Sequence, residues 1–179
     1  MQALIHFFIE LCLLRRAPQD LPASATLLKV LVLAYLGVGI LVGAATGQGL
    51  GEALVQTLVD TALLLGLLYA GLRWLARLPR FTQSASALLG SGAVLNLLVL
   101  APLGMASGGD DSELTGLAAL LFLALLAWSL VVTGHILRHT LDLTLVQGAL
   151  IAIAYNLLAY SLLGALFSSS LFPNRAPAG

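Results

Sequence analysis

Charge is what this chain has least of: eight basic and eight acidic residues among 179, or 9% together. A water-soluble domain normally carries about a quarter charged residues, because its surface must be solvated. So few charges cannot cover a globule, and with 60% of the residues hydrophobic, lipid is the expected solvent. The net charge is zero, which removes the electrostatic reason to propose a nucleic-acid partner. Cysteine is scarcer still. The single Cys12 excludes an internal disulfide and a Cys-rich metal site, and its apolar neighbours mark it as a buried, inert thiol.

Catalytic signatures are missing as well. There is no nucleophile elbow, P-loop, dinucleotide fingerprint or zinc-protease helix. The Ser168-Ser169-Ser170 stretch has no base near it. The reading is of a non-enzymatic protein without a cofactor. Lysine occurs once, at Lys29, against seven arginines. That bias, with abundant Ala, Leu and Gly, points to a GC-rich bacterial genome.

What the chain does have is long apolar runs, since a bilayer-spanning helix needs roughly 20 such residues. They predict an all-α integral membrane bundle of five transmembrane helices at about 25–45, 53–72, 84–105, 114–133 and 144–167, within a single domain over 17–167. The preceding run, 1–16, is too short to span. It also lacks the basic start and small-residue cleavage site of a secretory signal. Gln2, His6 and Glu10 fall four apart and give one polar stripe on an otherwise apolar helix. Such a helix lies flat at the membrane surface or docks on the bundle; the interfacial placement is the one expected. Pro18 and Pro22 end it, Ser24 caps the first span, and 168–179 forms a short tail.

Orientation follows from the basic residues, because Lys and Arg collect on the cytoplasmic side. With five spans, Arg15, Arg16, Lys29, Arg73, Arg77, Arg80 and Arg138 fall on one side and only Arg175 on the other. The expected location is therefore a bacterial inner membrane, with the amino terminus cytoplasmic and the carboxyl terminus periplasmic.

Three polar residues stand out inside the spans: Asp60, Asn96 and Asn156. At 1.5 Å per residue, Asp60 lies about 10 Å inward from the outer end of its span, while Asn96 and Asn156 lie about 18 Å from the inner ends of theirs, in a core about 30 Å thick. All three fall at a similar level. An ionisable residue at that depth costs several kcal/mol unless paired or hydrated. Two readings follow. In the preferred one, Asp60 is protonated or bonded to the two amides and locks the bundle; in the other, it belongs to a proton, ion or solute path. A dry interior around the three residues fits the first, and a water-accessible cavity reaching them fits the second.

Other polar groups have simpler readings. His135 and His139 share a helix face, but with only Asp142 near in sequence they suit interfacial anchoring better than a metal site. Asp110, Asp111 and Glu113 lack calcium-loop spacing and read as residues that cap the fourth span. Arg73, Arg77 and Arg80 form an inner-face basic cluster that either attracts anionic lipid or only sets topology. Gly39 and Gly43 mark close helix packing, within the chain or in a dimer. Gly90-Ser91-Gly92 is the one candidate interruption of a span.

The layout resembles the Yip1 domain superfamily, and in particular its bacterial five-span members. The resemblance is carried by Leu13-Leu14-Arg15-Arg16-Ala17-Pro18 before the first span, Arg80-Phe81-Thr82-Gln83 before the third, and Trp128-Ser129-Leu130-Val131-Val132-Thr133-Gly134 in the fourth. It implies a helical bundle that organises or scaffolds other membrane components, with the bilayer and other membrane proteins, or a second copy of itself, as partners. The competing expectation is a small transporter or channel subunit with a polar path at Asp60.

Overall fold

A computed structural model describes residues 2–106 and 112–171, with side chains for 4–106 and 114–167. Asp110 and Asp111, the Glu113 side chain, the Ser168 to Ser170 side chains and Arg175 lie outside the described residues. The described residues form six α-helices: α1 (Gln2–Cys12), α2 (Ala25–Ala45), α3 (Leu50–Trp74), α4 (Phe81–Ala106), α5 (Ser112–Leu141) and α6 (Leu145–Leu171). Among the described residues, five helices, α2 to α6, are long and apolar enough to cross a membrane. Their outward side chains are apolar too; Leu33 and Val146 are each 69% exposed, which suits lipid and not water.

Local chemistry sets the helix ends. The Ser24 hydroxyl accepts from the Leu27 amide at 3.3 Å and starts α2. Thr144 and Gln147 form a reciprocal capping box at the start of α6: the Thr144 amide donates to the Gln147 side chain at 3.0 Å, and the Gln147 amide donates to the Thr144 hydroxyl at 3.3 Å. Helices α1, α3 and α5 are each followed by a residue with left-handed backbone, namely Leu14, Ala76 and Asp142, which turns the chain sharply at the same end of the bundle. Helix α5 continues through His135 and His139 to Leu141, beyond the expected limit at 133, because nothing in that stretch breaks a helix.

Helix α4 is central and packs on α2 and α5; α3 lies outside α2, and α6 outside α5. Gly39 and Gly43 serve the α2–α3 crossing within the chain, where Thr57 and Ala53 occupy the space a Cβ would take. Helix α4 runs unbroken through Gly90-Ser91-Gly92. Those glycines make room: Phe8 sits against Gly90, and Tyr35 against Gly92.

The short helix α1 docks on the bundle. Phe8, Leu11 and Cys12 are buried, the Trp128 indole donates to the Cys12 carbonyl at 3.0 Å, and His135 Nε2 lies 3.0 Å from the Arg16 carbonyl. Its opposite apolar face, Ile5, Ile9 and Leu13, stays exposed. Its polar side closes on itself, with His6 and Arg16 both reaching Glu10, at 3.4 and 2.9 Å. The Cys12 Sγ lies 3.9 Å from the Ser91 carbonyl, and burial pushes its thiol up to about 11, which keeps it protonated and unreactive at neutral pH.

The larger buried side chains gather in one half of the bundle. The buried apolar cluster, which includes Leu31, Leu68, Leu72, Leu89, Val132 and Ile136, fills the half nearer Arg77.

Candidate functional site

The other half, toward the turn at Gly47, is hollow. A cavity of about 490 Å³ is lined by all five long helices. On every one of them the lining residues run from mid-helix toward the same end: Tyr35 to Gly43 on α2, with Thr46 just past it, Asp60 back to Gln56 on α3, and Leu95 to Leu103 on α4. Helices α5 and α6 continue the pattern, with Ser129 back to Phe122 and Tyr155 to Leu163. The lining reaches the end of the bundle at Thr46 and Gln48, and Leu95 joins it to the apolar cluster.

Asp60, Asn96 and Asn156 all line this cavity. Each lies ten or eleven residues from the end of its helix nearer either Leu50, Ala106 or Leu145, about 15 Å along the axis and near mid-bundle. The three are brought to one level, but the amides do not bind the carboxylate directly. Two tyrosines do. The Tyr35 hydroxyl donates to Asp60 Oδ2 at 2.8 Å, and the Tyr155 hydroxyl donates to Oδ1 at 2.7 Å. Asn96 lines the cavity beside Tyr35. Asn156 Nδ2 donates to the Ala152 carbonyl of its own helix at 2.8 Å. The interlock of Asp60 with the amides is therefore corrected to a carboxylate clasped by hydroxyls from α2 and α6.

Local packing explains the clasp. Gly92 lets the Tyr35 ring lie against α4, which aims its hydroxyl at α3. Thr57 and Thr61, the residues one turn before and just after Asp60, turn their hydroxyls back onto the Ala53 and Thr57 carbonyls at 2.7 Å each. They leave Asp60 as the group α3 presents to the cavity. Tyr35 and Tyr155 escaped the sequence reading because a tyrosine in an apolar run resembles any other lipid-facing aromatic.

The basic cluster divides. Arg77 and Arg80 both pair with Asp142 in the turn between α5 and α6, Arg80 at 3.0 Å, and Arg80 also reaches the His139 and Thr140 carbonyls. The hydrogen bond from Arg80, with the charges of both arginines, holds the Asp142 carboxyl below its ordinary value. Arg73 is exposed in the last turn of α3 and is not one of Asp142's partners. His135 and His139 meet edge to face, with ring centroids 4.7 Å apart, and among the described residues no group of three His, Cys, Asp or Glu side chains is arranged to hold a metal. No protein-family model matches the chain, and no curated protein or solved structure does either.

Proposed function

We propose that this protein is a small-solute transporter, or the solute-binding subunit of one, in a bacterial inner membrane. The observation that carries the reading is the cavity that reaches Asp60, Asn96 and Asn156 from one end of the bundle. A scaffold gains nothing from a hollow at its most polar level, where close packing supplies the stability of a membrane bundle. A carboxylate placed mid-bilayer at the floor of a cavity is the usual arrangement of a solute or proton site, and a volume of this size lies within the range of small-molecule pockets.

An open channel is the less suitable form of this reading, since the cavity ends on the packed apolar cluster around Leu72, Val132 and Ile136. One end open and one end closed fits alternating access. The cavity faces the periplasm and the Arg-rich end faces the cytoplasm, an orientation supported by the bias of seven basic residues against one. The closed end carries the Arg77–Asp142–Arg80 clasp, which opening on that side would break. No catalytic step belongs to the reading, and α1 lies at the cytoplasmic interface with Ile5, Ile9 and Leu13 toward lipid. The Yip1-like order of segments describes the topology and leaves the ligand open.

The test is a thermal-stabilisation screen of the purified protein against small polar solutes, followed by uptake of each hit into proteoliposomes. Saturable uptake by the wild type that is lost in Asp60→Asn supports the proposal. A screen without hits, together with a co-purifying membrane protein that Asp60→Asn still retains, would favour the scaffold.

A further inference from the structure

The hydrogen-bond polarity of the cavity floor identifies a class of ligand. The hydroxyl hydrogens of Tyr35 and Tyr155 go to Asp60. Those of Thr57 and Ser129 go to the Ala53 and Leu126 carbonyls, at 2.7 Å each. These four hydroxyls therefore offer the cavity only lone pairs. Asp60 accepts at both oxygens and has lone pairs to spare. Asn156 uses one N–H on the Ala152 carbonyl, and both it and Asn96 keep an accepting oxygen beside their remaining N–H groups. Acceptors outnumber donors on the floor.

It is also uncompensated. No Lys, Arg or His lines the cavity, and among the described residues Asp60 has no ion-pair partner. Hydroxyl donors stabilise a carboxylate but leave its charge in place, and at mid-bilayer depth a lone negative charge calls for a positive one. A volume of about 490 Å³ far exceeds a bare metal ion, and the two tyrosine rings beside the carboxylate suit an organic cation. We infer that the cavity binds a small protonated amine, its ammonium group donating to Asp60 and to the oxygens of Tyr155 and the two amides.

This inference rests on the cavity being a solute site, and the experiment separates the two claims. The purified protein, in nanodiscs of uncharged phosphatidylcholine, is titrated calorimetrically with propylammonium, propionate and 1-propanol, three probes alike in size and different in charge. Saturable binding of propylammonium is expected, at least about tenfold tighter than the other two, and Asp60→Asn is expected to weaken it by about tenfold or more. Tyr155→Phe, which removes one accepting oxygen and keeps the carboxylate, is expected to weaken propylammonium binding by about threefold and to leave the other two probes unchanged; it serves as the second variant should Asp60→Asn not assemble, and unchanged propylammonium binding in it would count against the amine assignment. Preferential binding of propionate or 1-propanol would overturn the amine assignment and leave the solute site standing. Binding of none of the three, with a thiol introduced at Asn156 inaccessible to water, would remove both.

Discussion

Tyr155 on α6 donates its hydroxyl to Oδ1 of Asp60 on α3 at 2.7 Å, across a seam where these two helices otherwise touch far less than α4 touches α2 or α5. The bond closes the ring of helices around the cavity. Tyr155→Phe removes it without changing shape and should lower stability by about 1 kcal/mol, the scale of such bonds between membrane helices. Combined with Asp60→Asn, its effect should fall well short of the sum of the single changes. A double-mutant cycle of unfolding in mixed micelles measures this.

The α5–α6 crossing depends on two glycines. A Cβ on Gly148 would collide with the Gly134 carbonyl, whereas around Gly66 on α3 nothing lies within 4 Å. Gly148→Ala is expected to cost about 2 kcal/mol, because backbone cannot move aside as a side chain can. Gly66→Ala should be neutral or stabilising by up to about 1 kcal/mol. Unfolding midpoints of the two variants in the same detergent decide it.

Ala76 follows α3 with φ 54°, and its neighbours form the helix-ending pair of bonds: the Ala76 amide to the Arg73 carbonyl at 3.1 Å and the Arg77 amide to Leu72 at 2.7 Å. A residue with a Cβ is held there at a cost of roughly 1 kcal/mol. Ala76→Gly should therefore raise the unfolding midpoint, an outcome that glycine rarely gives elsewhere.

How much of this was legible in the sequence differs by level. The spans are written in apolar runs longer than a globular helix needs, so their number and approximate limits follow from composition and punctuation. Asp60, Asn96 and Asn156 announce themselves as polar groups inside those runs. Their relation to Tyr35 and Tyr155 does not, because it depends on how far each helix is rotated about its axis, and the small-residue signal for it, Gly92, reads equally well as a helix break. The docking of α1 is hidden for a similar reason. Phe8, Leu11 and Cys12 on one side and Ile5, Ile9 and Leu13 on the other are equally apolar, so the pattern shows no preference between protein and lipid. The clasp at Asp142 joins residues 62 and 65 positions apart, a distance no local pattern spans. The cavity is a volume left over when five helices pack, and no residue encodes it alone.

The Asp142 clasp gives a pH dependence of defined sign. Its carboxyl lies below its ordinary value in the folded protein because Arg80 and Arg77 hold the charged form. The stabilisation is thus fully present above the ordinary carboxylate range and is lost as the pH falls through the lowered folded value. Wild type should exceed Asp142→Asn in thermal stability at pH 7 and still at pH 5, and the difference should vanish only at strongly acid pH. Because the pair is half exposed, added salt should shrink the difference as well.

The proposed solute site requires a cavity that admits water to Asn156 from the Gly47 end and stops short of Val132, which is fully buried. Single thiols at Asn156→Cys and Val132→Cys, in a Cys12→Ser background, are exposed to a charged, membrane-impermeant thiosulfonate from each face of oriented vesicles in turn. Asn156→Cys should react from the face bearing the Gly47 turn and from that face alone, and Val132→Cys from neither. An Asn156→Cys that stays unmodified from both faces, or that reacts from the face bearing Arg77, would contradict it.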